Sequence, residues 1–177
     1  MAGRQPGRTL GIDPGSQVTG FGVVEKTGNR LRHLASGSIR LASLPSLYRR
    51  LEKIHRGLEE IIAEYQPTEV AVEKVFMSKN VHSALTLGHA RGAALLAAVE
   101  AGLTLFEYSP LEIKKAVTGY GRADKSQVQS MVSTLLGLKG VRHPDVSDAL
   151  AAAVCHLNWF RPLPNAHDRI LDRPSPV

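Results

Sequence analysis

Three short apolar segments in the first forty residues restrict the fold of this chain more than any other feature. They read as β-strands and cover residues 8–13, 18–25 and 31–41. Asp-Pro-Gly-Ser at residues 13–16 lies between the first two segments and is a strong turn signal, because proline pre-sets one backbone angle and glycine accepts a positive φ. Thr-Gly-Asn at residues 27–29 has hairpin-turn composition. The chain is therefore expected to open with three strands in a meander.

Helices and strands alternate in the rest of the sequence. After Pro45, apolar residues recur at three- and four-residue spacing and predict a helix over residues 47–65. A short β-branched segment predicts a strand over residues 69–73. The further predicted elements are a helix over 80–101, a strand over 103–108, and helices over 110–117, 125–136 and 145–160. This order predicts an α/β fold with a mixed five-stranded β-sheet flanked by α-helices.

Length and composition indicate one globular domain. The chain has 177 residues, 43% of them hydrophobic and 21% charged, which excludes wholesale disorder and a small disulfide scaffold. We expect a single domain over residues 1–160 and a disordered tail over 161–177, where four of the ten prolines lie. Cys155 is the only cysteine, which favours a reducing compartment. No apolar run approaches the roughly 20 residues of a membrane helix, and residues 1–8 lack a signal-peptide core, so a cytoplasmic, soluble protein without membrane contact is expected.

Basic charge is concentrated in one part of the sequence. The formal net charge is +6, which favours a polyanionic partner, although a basic solvated surface gives the same number. Residues 109–143 carry six basic and two acidic side chains, a local net charge of +4. Such a local excess is what a binding surface requires. The six bases are Lys114, Lys115, Arg122, Lys125, Lys139 and Arg142.

Four acids occupy positions where a catalytic site can form. Asp13 and Glu73 each end a predicted strand, and Asp145 and Asp148 lie one helical turn apart at a predicted helix start. Each acid also has an ordinary alternative role. Asp13 can be a turn residue, and Glu73 can be a surface acid paired with Lys74. Asp145 and Asp148 can satisfy free N–H groups at the helix start and interact favourably with the helix dipole.

Taken together, the four acids suggest a metal site. Carboxylates that converge would repel one another, and a divalent cation removes that conflict. Clustered carboxylate oxygens are the ligands that Mg²⁺ and Mn²⁺ prefer. Two such ions about 4 Å apart can activate a water and stabilise the leaving oxygen of a phosphodiester. The sequence alone does not bring the four residues together, so their convergence is a hypothesis.

Several stretches of the chain resemble the RuvC family of bacterial Holliday junction resolvases. They are Leu-Gly-Ile-Asp-Pro-Gly-Ser-Gln-Val-Thr-Gly-Phe-Gly at 10–22, Val-Ala-Val-Glu-Lys-Val-Phe-Met at 70–77, Lys-Ser-Gln-Val-Gln at 125–129 and Asp-Val-Ser-Asp-Ala-Leu-Ala at 145–151. The resemblance runs from about residue 10 to residue 156. It implies an RNase H-like fold, a homodimer, and cutting of four-way DNA junctions in recombination and repair. The implied cofactor is Mg²⁺, for which Mn²⁺ would substitute, with two ions in each active site. It also implies RuvA and RuvB, the branch-migration proteins, as partners.

The resemblance also assigns roles to individual residues. It implies that Asp13, Glu73, Asp145 and Asp148 are the catalytic acids and metal ligands, and that paired symmetric nicks leave 5′-phosphate and 3′-hydroxyl ends. Some relatives carry a histidine at the third acid, and His143 lies two residues before Asp145, so which of the two is the ligand stays open.

A DNA-binding set is expected around these acids. An aromatic ring such as that of Phe76 can stack on a base for roughly 1–3 kcal/mol, although core packing is its alternative role. A lysine near the scissile phosphate can offset the charge of the transition state, although solvated helix faces carry lysines too. The predicted DNA-binding residues are Phe76, Lys79, Lys114, Lys115, Arg122 and Lys125. Residues on helices that can build the dimer interface are Tyr48, Leu51, His82, Leu85, Leu87 and His89.

Two other classes of protein compete with this interpretation. The phosphate loop of an actin-like or sugar-kinase ATPase also begins with an acid in a Gly-rich turn after a strand. Those proteins need two such loops, and a second one is missing from these 177 residues. The G-x-x-x-x-G-K-[S/T] loop of other nucleotide-binding enzymes is missing as well. A DNA-binding module without catalytic activity explains the basic charge equally well. It does not explain four acids, which would repel phosphate unless metal were bound.

Overall fold

One mixed β-sheet with helices on both faces makes up the computed structural model, which describes residues 7–74, 80–141 and 143–159. The strands are β1 (Gly7–Asp13), β2 (Val18–Thr27), β3 (Arg30–Arg40), β4 (Glu69–Glu73) and β5 (Thr104–Tyr108). The helices are α1 (Leu47–Tyr65), α2 (Val81–Glu100), α3 (Pro110–Thr118), α4 (Lys125–Leu135) and α5 (Pro144–Trp159). The strand order across the sheet is β3-β2-β1-β4-β5.

Strand β1 is the centre of the sheet and sets its register. It pairs antiparallel with β2, where Asp13 lies opposite Gly20, and parallel with β4, where Ile12 lies beside Val72. β4 in turn pairs parallel with β5. The carboxyl ends of β1, β4 and β5 therefore meet at one edge of the sheet, which is where sites form in open α/β sheets.

The two faces of the sheet are covered by different helices. Leu10, Ile12, Val70 and Val72 alternate onto the face that packs with α1 and α2. The opposite face packs with α3, α4 and α5, and includes Ala71 of β4. Because side chains alternate along a strand, Asp13 and Glu73 project onto the α5 face.

Three glycines let α5 lie directly on the strand backbone. An ideal Cβ on Gly11 would lie 1.9 Å from the carbonyl oxygen of Ala149, and one on Gly20 would lie 2.1 Å from that of Asp145. A Cβ on Gly22 would meet the side chain of Leu150 at 2.4 Å. No real Cβ tolerates such distances, so the absence of three side chains brings the start of α5 against the end of β1.

The predicted fold class is confirmed. The five strands and five helices occur in the predicted order, and α1 and β4 have the predicted bounds. The other elements begin or end one or two residues from the prediction. The single domain over 1–160 stays a prediction, and the predicted disordered tail lies outside the described residues. None of the helices in the described ranges combines the length and apolar content that a bilayer-spanning helix requires.

Candidate active site

Asp13 and Glu73 are brought together by strand register. The parallel pairing of Ile12 with Val72 places the next residue of each strand side by side at the same edge and on the same face. Both side chains are half-buried. Asp13 ends its strand because Pro14 and Gly15 follow, and Gly15 accepts a hydrogen bond from the hydroxyl of Thr19 that closes this turn.

The first turn and a half of α5 supplies the other two acids. Pro144 is the first residue of the helix, where its missing N–H costs nothing. Asp145 follows directly, and Asp148 lies one turn further on the same side. Since the carbonyl of Asp145 lies against Gly20, which pairs with Asp13, the helix start is adjacent to the end of β1.

Electrostatic interactions join the four acids into one site. Burial, followed by the negative charges of Asp148, Asp145 and Glu73, raises the pKa of Asp13 to about 7. Burial and the charge of Asp148 also raise the pKa of Glu73. Burial is the larger cause in both cases, and the mutual repulsion of the acids adds to it. The predicted convergence of the four acids agrees with this geometry.

Two lysines from the α3–α4 side face the acids. The Nζ of Lys125 lies 2.7 Å from Oδ2 of Asp148, and this hydrogen bond raises the pKa of Lys125. Lys125 is the first residue of α4, directly after Asp124, which caps that helix through a reciprocal capping box with Gln127. The charge of Lys114 on α3 acts with that of Lys125 to lower the pKa of Glu73 against the effect of burial.

The other predicted site residues lie further out or outside the described part. Lys115 and Arg122 are exposed, and within the described residues neither forms an ion pair. Phe76 and Lys79 fall in residues 75–79, outside the described residues, so their roles stay predictions. His143 precedes α5 and its carbonyl accepts the amide of Ser147. Asp145 and Asp148 are among the groups that raise the pKa of Asp13. Whether Asp145 or His143 is the third ligand stays a prediction.

Two features of helices α1 and α2 were not predicted from the sequence. Arg91 of α2 donates from Nη1 to the carbonyl oxygen of Glu73 at 2.8 Å. His55 and Glu59 of α1 lie with Glu100 of α2 so that one ligand atom from each lies within 4.8 Å of the others, which is close enough to hold a metal ion. The spacing of His55 and Glu59 was visible in the sequence, but their proximity to Glu100 depends on how the two helices pack. This group lies in the α1–α2 layer, on the face of the sheet away from α5.

The match to a protein-family model agrees with this geometry. The model for crossover junction endodeoxyribonuclease RuvC matches residues 9–156, most of the chain. The chain belongs to the RuvC family. The resemblance seen in the sequence motifs is thus confirmed, and so is the expectation of a nuclease family that acts on crossover junctions.

Named RuvC relatives share more than half of the aligned residues. The RuvC of Syntrophotalea carbinolica is 54% identical over 153 residues, which cover 86% of this chain and 95% of the relative. The RuvC of Geobacter sulfurreducens is 54% identical over 151 residues, or 85% of this chain and 92% of the relative.

Solved structures show the same architecture. Thermus thermophilus RuvC in complex with Holliday junction substrate superposes with a TM-score of 0.82 at 36% identity, covering 86% of this chain and 93% of that one. The yeast mitochondrial Holliday junction resolvase Ydc2 superposes with a TM-score of 0.63 at 11% identity, covering 86% and 78%. At that identity the second likeness shows the fold alone, whereas the likeness to Thermus thermophilus RuvC confirms the RNase H-like architecture that the resemblance implied.

Proposed function

We propose that this protein is a metal-dependent endonuclease that cuts four-way DNA junctions. The observation that carries the proposal is the meeting of Asp13, Glu73, Asp145 and Asp148, from three separate elements, at one edge of the sheet. Membership of a family of crossover junction endodeoxyribonucleases supplies the substrate class. The 36% identical relative bound to a Holliday junction supports the same substrate.

The donor set fits Mg²⁺, with Mn²⁺ as a substitute. All four side chains offer hard carboxylate oxygens. Burial and then the repulsion of the other three acids raise the pKa of Asp13, and a divalent cation relieves both costs of the charged form. Asp13, Glu73, Asp145 and Asp148 would hold two ions. Bound there, the metal would supply an activated water and stabilise the leaving oxygen of the phosphodiester.

The side chains of this chain supply orientation and charge. Asp13 and Glu73 stand on adjacent rigid strands, so the separation of their carboxylates is set by the sheet. Lys125 holds Asp148 through a charge-assisted hydrogen bond and places a positive charge beside the acids, where negative charge grows on the phosphate in the transition state. In-line attack leaves a 5′-phosphate and a 3′-hydroxyl.

A homodimer provides two equal sites for the two symmetry-related strands of a junction. An exposed apolar stripe on α2 supports this assembly: Val81, Leu85, Leu96 and Val99 are all at least 40% exposed, and Tyr48 at the start of α1 is 81% exposed. The four α2 residues recur on one side of the helix, and exposed apolar side chains that share a face are what an interface would cover. A two-fold interface along α2 would pair the nicks by symmetry.

The basic segment that contains α3 and α4 is the proposed DNA-binding surface. Lys114, Lys115, Arg122 and Lys125 lie on or between these two helices and outnumber the acids there. Phosphate contacts by such side chains release counterions and give salt-dependent affinity. RuvA and RuvB, the branch-migration proteins, are proposed as further partners on family membership alone.

The experiment that tests the proposal compares a synthetic four-way junction with a plain duplex of the same sequence. Symmetric nicks in the junction alone, with Mg²⁺ or Mn²⁺ and not with EDTA, are the expected result. Asp13→Asn is expected to keep junction binding and abolish cleavage. Tight binding without cleavage in either metal would leave a DNA-binding module without catalytic activity and overturn the proposal.

Loss of both folding and binding in Asp13→Asn would instead indicate that Asp13 is only a structural turn residue. Glu60→Gln is the matched control, because this acid lies on the exposed side of α1. It is expected to leave both binding and cleavage unchanged.

A further inference from the structure

Arg91 links helix α2 to the ends of two strands. Its side chain is 14% exposed. One terminal nitrogen, Nη1, donates to the backbone carbonyl of Glu73 at 2.8 Å, and the other, Nη2, pairs with the carboxylate of Glu107 on β5. The planar fork of a guanidinium suits such a two-partner contact, which a lysine ammonium cannot reproduce.

The carbonyl that Arg91 binds belongs to the last residue of β4. The pairing of β4 with β1 reaches only Val72, and its pairing with β5 ends with the amide of Lys74 donating to the carbonyl of Tyr108 at 2.8 Å. Glu73 therefore lies beyond the last residue paired with β1 and is supported by the sheet on the β5 side alone. A side chain that holds its carbonyl restrains the backbone from which the carboxylate projects.

Arg91 reaches this point from the face of the sheet opposite the acids. Its neighbours Ala90 and Ala94 pack with Val70 and Val72 on the α1–α2 face, whereas the Glu73 side chain projects toward α5. The guanidinium thus hydrogen-bonds to the backbone carbonyl of Glu73, and among the described residues its ion pair is with Glu107 and not with the Glu73 carboxylate, on which its charge acts only as one of several that lower the pKa. This separation distinguishes a positioning contact from an ion pair that would occupy the carboxylate.

We propose that Arg91 is a positioning residue that fixes the end of β4 so that the Glu73 carboxylate faces Asp13. The inference rests on the proposed function, since it assumes that Glu73 acts in cleavage. Glu107 orients the guanidinium through the second arm of the fork. The pair ties β4, β5 and α2 together at the site edge.

Arg91→Met tests the proposal, with Arg91→Lys and Glu107→Gln as graded variants. We expect Arg91→Met to lower kcat for junction cleavage by roughly 10- to 100-fold, the loss typical of a misplacement approaching 1 Å, with KM for the junction unchanged. Arg91→Lys can satisfy one partner and is expected to recover part of the rate. Glu107→Gln keeps the guanidinium but weakens its hold and is expected to give an intermediate rate.

Amide hydrogen exchange supplies a readout that does not depend on cleavage. Without Arg91, exchange at Glu73 and Lys74 is expected to accelerate while Val70, in the middle of the strand, stays protected. Acceleration throughout β4 with a lowered melting temperature would show a merely structural role and overturn the proposal. Unchanged kcat and unchanged exchange would overturn it as well.

Two controls separate this inference from the proposed function. Arg56→Met removes another helix arginine that pairs with a carboxylate, that of Glu52, far from the site, and is expected to change neither kcat nor exchange. Glu73→Gln tests the role of Glu73 itself. Cleavage that survives in Glu73→Gln refutes the assigned catalytic acid, whereas cleavage lost there but intact in Arg91→Met refutes only the positioning role.

Discussion

Gly20→Ala is expected to separate catalysis from folding in this protein. The new Cβ would lie 2.1 Å from the carbonyl oxygen of Asp145 and 2.4 Å from its carbonyl carbon. Both are backbone atoms, so no side-chain rotation relieves the overlap. Ordinary contact begins at 3.4 Å, so the first turn of α5 has to retreat by roughly 1.3 Å, a displacement that in a catalytic site costs on the order of 100-fold in rate.

The effect on stability is expected to be smaller than the effect on rate. Overpacking of this kind costs about 1–3 kcal/mol. The remainder of α5 keeps its contacts with Gly11 and Gly22, and the ring of His156 near its other end keeps hydrogen bonds to Tyr108 and Glu69 at 2.7 and 2.8 Å. The helix therefore stays docked while its first turn, which carries Asp145, moves.

The assay is single-turnover cleavage of a four-way junction in Mg²⁺, with junction affinity measured in EDTA and melting followed by circular dichroism. Gly7→Ala, in β1, is the matched control, because its new Cβ would find its nearest atom 3.9 Å away, on Leu157. That variant is expected to cleave at the wild-type rate. A Gly20→Ala protein that also cleaves and melts like wild type would refute the close contact between α5 and the sheet.

Three further predictions concern charge. In metal-free protein, stability is expected to fall as pH rises from 3.8 to about 7, because over this range folded Asp13 keeps a proton that the unfolded chain has released. Asp13→Asn should therefore melt at a higher temperature than wild type in EDTA at about pH 8 and show no such gain at about pH 4. Equal shifts in melting temperature at the two pH values would contradict this reasoning. Lys125→Met removes the cation beside Asp148 and is expected to slow cleavage by roughly 100-fold, while the slope of log affinity against log salt for metal-independent junction binding falls by only about 1, as single-turnover rates and anisotropy will show. Lys115→Ala and Arg122→Ala are each expected to reduce the slope of log affinity against log salt by about 1, and unchanged slopes would remove these residues from the DNA surface.

The secondary structure was largely readable because its signals are local. The apolar spacing of α1 and the proline that precedes it depend on residues within one or two turns, and the observed helix has the predicted bounds. The hairpin turn between β2 and β3 carries Gly28 at a φ of 60°, as its composition indicated. The register between strands is not local, so the sheet order could not be read in the same way.

The close packing of α5 on the sheet had no signal of its own. Gly11, Gly20 and Gly22 look like weak strand residues when the sequence is read alone. Only the antiparallel register, which pairs Gly11 with Gly22 and Gly20 with Asp13, shows that all three line one face. Arg91 is a similar case, since the sequence of an Ala-rich helix does not indicate which backbone carbonyl a single arginine will contact.

The position of α5 at the C-terminal end of the described residues has a consequence for when the site forms during synthesis. Helix α5 supplies two of the four acids and a continuous buried run from Ala149 to Leu157 that fills one face of the sheet. A polypeptide still on the ribosome whose α5 has not yet been synthesised contains only Asp13 and Glu73 of the four acids. It also leaves the α5 face of the sheet uncovered. If the four acids act together as proposed, the site is complete only once α5 has docked on the sheet, and a chain that stops before this helix holds half of the proposed ligands.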